Sequence, residues 1–125
     1  MKNQFLSSFE EACARLNMSS ELPDVSKWPE RLQKHLIALH KLDTILQVNN
    51  DGWVADLADI GQTKWYPYFW VTKDSNAPGG FRLAYYGCDY GSVTSHLGVR
   101  LACQSRDLAI FMGQECADLY KDLHS

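Results

Sequence analysis

Hydrophobic positions recur every three to four residues toward both ends of this chain and every second residue in its middle. Phe5, Phe9, Ala12 and Leu16, with Leu6 and Cys13 beside them, make one apolar stripe of a first helix. The polar run MSSELPDVS ends it. Ser26 to Glu30 then carries the signals of a helix start: a capping serine, a proline suited to the first turn, and an acidic residue at the positive end of the dipole. Leu32, Leu36, Leu39 and Leu46, flanked by Ile37 and Ile45, extend this second helix to about Asn50. Asn49-Asn50-Asp51-Gly52 stops it, with Gly52 suited to a left-handed exit. Residues 53–63 carry mixed signals, and DLADIG fits a short helical turn closed by Gly61.

The period then changes to two. Residues 64–73 begin with KWYPYFWVT, five aromatic rings and a proline in nine positions. A loop-forming DSNAPGG separates this strand from a second over residues 81–90, and the two predict a hairpin. Residues 96–104 alternate as a third strand, and Ser105 caps a closing helix that runs to about Leu123 with Leu108, Met112, Cys116, Leu119 and Leu123 on its inner face. The expected fold is α+β: two N-terminal helices, a three-stranded antiparallel meander sheet, and a C-terminal helix packed on one sheet face, all in a single domain over residues 1–125.

Strand alternation assigns faces. Leu97, Val99, Leu101 and Cys103 point to the core, opposite His96, Gly98, Arg100 and Ala102. Phe81, Leu83 and Tyr85 share the inner face, opposite Arg82, Ala84, Tyr86 and Cys88. In the first strand Trp65, Pro67, Phe69 and Val71 are assigned inward, because the other set, Tyr66, Tyr68, Trp70 and Thr72, carries the hydroxyls. Pro67 marks an edge strand, since proline has no N–H to give to a central ladder. The outer face then bears Tyr66, Tyr68, Trp70, Arg82, Tyr86, His96 and Arg100, a set rich in the residue types that anchor protein interfaces. Aromatic rings interleaved with arginines also stack single-stranded bases, which makes nucleic acid the alternative partner.

Charge weighs against that alternative. Twelve Lys and Arg stand against fifteen Asp and Glu for a net charge of −3, and the acidic excess falls in the first 63 residues, whereas nucleic-acid binding shows as clustered base. A 125-residue chain that is 46% hydrophobic and 22% charged is long enough for one core. No apolar run reaches signal-peptide or membrane-span length, so the expected location is cytoplasmic, with no membrane partner. Cys13, Cys88, Cys103 and Cys116 lie 75, 15 and 13 residues apart with no C-x-x-C, which predicts free thiols and no metal site.

No catalytic arrangement stands out, and no cofactor is implied. Cys88 and Asp89 with His96 supply a thiol, a carboxylate and an imidazole but no orienting group or oxyanion motif. His35 and His40 fall roughly 140° apart at about 100° per helical residue, the wrong geometry for one metal. Asp56 and Asp59 suit a solvated turn as well as an acid–base role.

The order of motifs carries a resemblance. NNDGWVADLADIGQTKWYPYFWV, the strand start at Gly80-Phe81, and RLACQSRDLAIFMGQECADLYKDL together resemble small phage- and prophage-encoded proteins of Bacteroides-type bacteria, over residues 22–122. The chain departs from that group in VADLADIGQ, where the group has a loop richer in Trp and Asn. No activity is attached to the group, so no residue role carries over. The resemblance implies an accessory protein of a mobile element that works in its bacterial host by binding a host protein, a phage protein or a second copy of itself.

Overall fold

The computed structural model describes residues 5–56, 58–59, 61–77, 80–91 and 101–124. Its elements run α1 (Phe9–Arg15), α2 (Glu30–Asn49), β1 (Lys64–Lys73), β2 (Phe81–Gly91), α3 (Arg106–Glu115) and α4 (Ala117–His124). The fold is α+β with an antiparallel sheet, and the C-terminal helices pack on that sheet.

α1 is shorter than its apolar stripe. Ser8 caps it, its hydroxyl accepting from the Glu11 N–H, and Phe5 to Ser8 precede it as non-helical chain. The Asn49 side chain explains why. Its Oδ1 accepts from the Leu6 N–H at 2.8 Å and its Nδ2 donates to the Leu6 carbonyl at 2.9 Å, a paired grip that needs both backbone groups of Leu6 free of a helix. Phe5 still reaches the core, its ring 5.4 Å from that of Phe111, so the hydrophobic spacing continues where the helix does not. Asn17, at φ 58, ends α1: Met18 N–H donates to Cys13 O and Asn17 N–H to Ala14 O, the paired bonds of a left-handed helix stop.

α2 starts after Pro29 and turns its Ala38, Leu42, Ile45, Leu46 and Asn49 side inward. Leu39, expected on the stripe, is 41% exposed instead. Past the helix end both Asp51 (φ 49) and Gly52 (φ 89) take left-handed conformations. The following loop is tied by its own polar groups: Gln62 spans Val54 O and Asp56 N, and the Lys64 ammonium donates to the carbonyls of Asp59 and Gln62. In the stretch expected to form a short helical turn, Asp59 N–H donates to Asp56 O and Gln62 N–H to Asp59 O, both turn bonds, while residues 57 and 60 lie outside the described residues.

β1 and β2 pair antiparallel from Lys64↔Gly91 to Lys73↔Phe81. The ladder shifts between Tyr68 and Phe69: Phe69 faces Tyr85, Tyr68 faces Gly87, and Tyr86 is the extra residue of a β-bulge. Beyond the bulge Cys88 lies opposite Pro67 and packs on the core, which corrects its assignment to the outer face. On the other edge of β1, Trp65 exchanges both backbone hydrogen bonds with Cys103. Pro67, two residues on, turns its nitrogen to that same edge, so no bond between β1 and β2 is lost. Residues 96–100 of the expected third strand lie outside the described residues. At its described end Leu101 and Cys103 are buried as expected, but Ala102, expected outward, is also buried, at 1% exposure. The cause is Asn50 of the α2 C-terminus. Its Nδ2 donates to Ala102 O at 3.0 Å and its Oδ1 accepts from Gln104 N–H at 2.8 Å.

Ser105 caps α3 as expected, accepting from Leu108 N–H. The single C-terminal helix does not form, because Cys116, at φ −121 and ψ 23, breaks it into α3 and α4. α3 contacts both strands of the hairpin, whereas α4 packs chiefly on α2. His35 of α2 fastens the far end, its Nδ1 2.5 Å from the Leu123 carbonyl; a carbonyl only accepts, so this nitrogen carries the proton.

Candidate interaction surface

Of the residues assigned to the outer sheet face, the structure brings together Trp70, Arg82 and Tyr86. β1 carries Trp70 opposite Ala84 and Thr72 opposite Arg82, which places Trp70 and Arg82 on one side of the hairpin. Tyr86, two residues past Ala84 and itself the bulge residue, joins them, and its ring meets that of Trp70 edge-on at 4.6 Å between centroids. Trp70 is 59% exposed and Tyr86 62%, the ordinary position for neither ring in a protein with a core available. Val71, on the opposite face of the same strand, is exposed as well, although its partner Leu83 packs on the core and the Lys121 ammonium of α4 lies 5.4 Å from the centre of the Phe81 ring.

Arg82 is exposed and paired with Asp74 at the hairpin loop, Nε to Oδ2 at 2.5 Å. That guanidinium, with the Asn76 N–H, holds the Asp74 carboxyl below the usual carboxylate range. The backbone of the same residue closes the turn: Asp74 N–H donates to Gly80 O, and the Asp74 carbonyl accepts from Ala77 N–H.

The remaining expected residues separate. Tyr66 is half-buried with its hydroxyl oxygen shielded from solvent, and burial raises its pKa, with Cys103 adding to the shift. The backbone of Tyr68 pairs with Gly87, while its side chain, His96 and Arg100 lie outside what the structure describes.

The weaker constellations resolve into structural contacts. Cys88 is half-buried against the core, while the Asp89 side chain and His96 lie outside the description. The His40 ring sits 5.4 Å from that of Phe9. Asp56 and Asp59 accept from Ala58 N–H and Gly61 N–H, as turn-forming aspartates do. Among the described residues no group of three His, Cys, Asp or Glu is placed to hold a metal ion, and no helix is long and apolar enough to cross a membrane.

All four cysteines are free. Burial, then the neighbouring Cys88 and Cys116, pushes the Cys103 thiol up to about 12; burial, then Glu115, pushes Cys116 up to about 11. At pH 8 an alkylating reagent should therefore modify the half-buried Cys88 first. The buried Cys13, Cys103 and Cys116 should react only as the protein opens. Peptide mass mapping over time checks this, and labelling of Cys103 as fast as Cys88 would contradict it.

No family model matches the chain, and neither a curated protein nor a solved structure is significantly similar to it.

Proposed function

We propose that this chain is a non-enzymatic protein-interaction module, an accessory protein of a phage or prophage acting in the host cytoplasm. Its docking surface is the outer hairpin face at Trp70 and Tyr86. The observation that carries this reading is the exposed Trp70–Tyr86 pair beside Arg82. Trp, Tyr and Arg are the residue types that dominate binding energy at protein interfaces, and two large rings in mutual contact bury well against a partner at little entropic cost. Pairing of Arg82 with Asp74 supports a protein partner over nucleic acid, because it neutralises a cation beside the rings. The partner is a host protein, a phage protein or a second copy of the chain.

The test compares the native chain with Trp70→Ala/Tyr86→Ala, first by light scattering and then as baits in lysogenic cells. Self-association is expected to give twice the 14.2 kDa chain mass for the native protein and the monomer mass for the variant. A foreign partner is expected to be retained by the native bait and lost by the variant. Equal masses together with an identical captured set for the two proteins would rule the reading out, as would salt-sensitive retention of an oligonucleotide abolished by Arg82→Ala.

A further inference from the structure

Where α2 ends, a cleft of about 310 Å³ opens between the helix and the chain that leaves it. Leu46, Val54, Ala55 and Ala102 give it apolar walls; Trp53 adds an indole, and Asp43, Gln47 and Asn50 add polar groups. None of these residues belongs to the outer hairpin face. The volume is at the small end of the range for ligand sites, enough for a short alkyl chain with a polar head.

Asp43 gives the cleft its chemistry. It is half-buried, yet among the described residues it makes no hydrogen bond or ion pair. A carboxylate that has lost part of its hydration and gained no donor favours a cationic partner. Asp43 is the one charged side chain among the described residues that line the cleft. The lysines on either side of this stretch of sequence are engaged elsewhere: the Lys41 ammonium lies 5.8 Å from the centre of the Phe9 ring, and that of Lys64 is bound to the Asp59 and Gln62 carbonyls. A carboxylate in a cleft attracts the opposite ion, and a neighbouring indole adds a further attraction for an organic cation.

We infer that this cleft binds an alkylammonium or alkylguanidinium group, its head at Asp43 and its stem against Trp53 and Leu46. The group is carried either by a free amine or by a Lys or Arg side chain of a bound peptide. Gln47 and Asn50 line the same space and would show its occupation through their side-chain amides.

Nitrogen–proton correlation spectra of the full chain test this, with n-butylammonium, n-butylguanidinium, N-acetyl-lysine amide and N-acetyl-arginine amide as cations and n-butanol as the neutral control. Saturable shifts are expected at the Trp53 indole N–H and the Gln47 and Asn50 amides. Affinity should fall as salt is raised, and by about tenfold or more in Asp43→Asn. Asp43→Asn removes no intramolecular bond, and an unchanged melting temperature would verify that the variant is folded. Binding of the acetylated amides together with the simple amines assigns the cleft to peptide side chains; binding of the simple amines alone assigns it to free amines. Butanol binding as tight as butylammonium, affinity within twofold in Asp43→Asn, or absence of saturable shifts with every cation would each overturn the assignment.

Discussion

Asn50→Asp is expected to lower the unfolding free energy by about 3 kcal/mol at neutral pH, although it replaces one nitrogen by oxygen. Asn50 is 5% exposed, and its amide uses both ends: the nitrogen donates to Ala102 O and the oxygen accepts from Gln104 N–H. A carboxylate keeps the second bond and turns the first into repulsion between two oxygens in a water-poor site. Asn50→Ala leaves the Ala102 carbonyl and the Gln104 N–H without their partner, at about 1–3 kcal/mol for each group that stays buried. Urea unfolding should show a lower midpoint at unchanged slope, and against a total of roughly 5–15 kcal/mol the loss is large. The aspartate variant has a second signature. Only its protonated form can both donate to Ala102 and accept from Gln104, so its pKa is higher in the folded state than in the unfolded chain. The stability tied to that proton is complete below the unfolded value of about 3.9 and disappears as pH rises through the folded one. The deficit should therefore shrink on acidification. A pH-independent deficit, or none at neutral pH, would show that this grip does not hold the 102–104 segment.

Gly113→Ala should destabilise the protein by about 1–3 kcal/mol, against the direction of helix propensity. Within a helix, alanine gains about 1 kcal/mol over glycine. At position 113 that gain is overridden, because α3 lies directly on the hairpin. A Cβ there would stand 2.6 Å from Tyr85 Cε1, closer still to Cδ1, and 2.9 Å from Pro67 Cβ. Carbon atoms pack at about 3.5–4.0 Å, so the helix must lift or the Tyr85 ring must leave its place. In a Tyr85→Ala background most of the penalty should vanish. A double-mutant cycle by chemical denaturation measures the coupling, and strictly additive effects would place the cost elsewhere.

Both positions illustrate what a linear reading recovers. The hairpin, the helix cap at Ser105 and the inward places of Trp65, Phe69 and Leu83 are local. Period, cap and turn chemistry specify them, and the structure has them. The expected serine cap of α2 is replaced by Pro29, which offers no side-chain bond, and Val71, assigned inward, is exposed. Asn49-Asn50 is legible as a helix stop, but not as two amides that hold Leu6 on one side and residues 102–104 on the other, because those partners lie 43 to 54 positions away. Gly113 shows no deviation from a helical pattern; its reason is a ring on another element. The break at Cys116 is hidden for a related reason. The apolar stripe through Leu108, Met112, Cys116 and Leu119 continues across it, and no glycine or proline marks it. Of the candidate surface, Trp70, Arg82 and Tyr86 follow from strand alternation alone. Cys88 does not, because the bulge at Tyr86 inverts the alternation after it.

That bulge divides the hairpin into two halves in different phase. Side chains alternate strictly, so one extra residue inverts the alternation of everything after it, and Phe81 to Tyr85 and Cys88 to Tyr90 present their sides independently. Deleting Tyr86 would leave every existing pair in place, Tyr85 still opposite Phe69 and Cys88 still opposite Pro67, and would only straighten the ladder. What the deletion removes is an exposed ring, so the extra residue serves the surface rather than the register, and the strand's even-and-odd grammar is written twice around it.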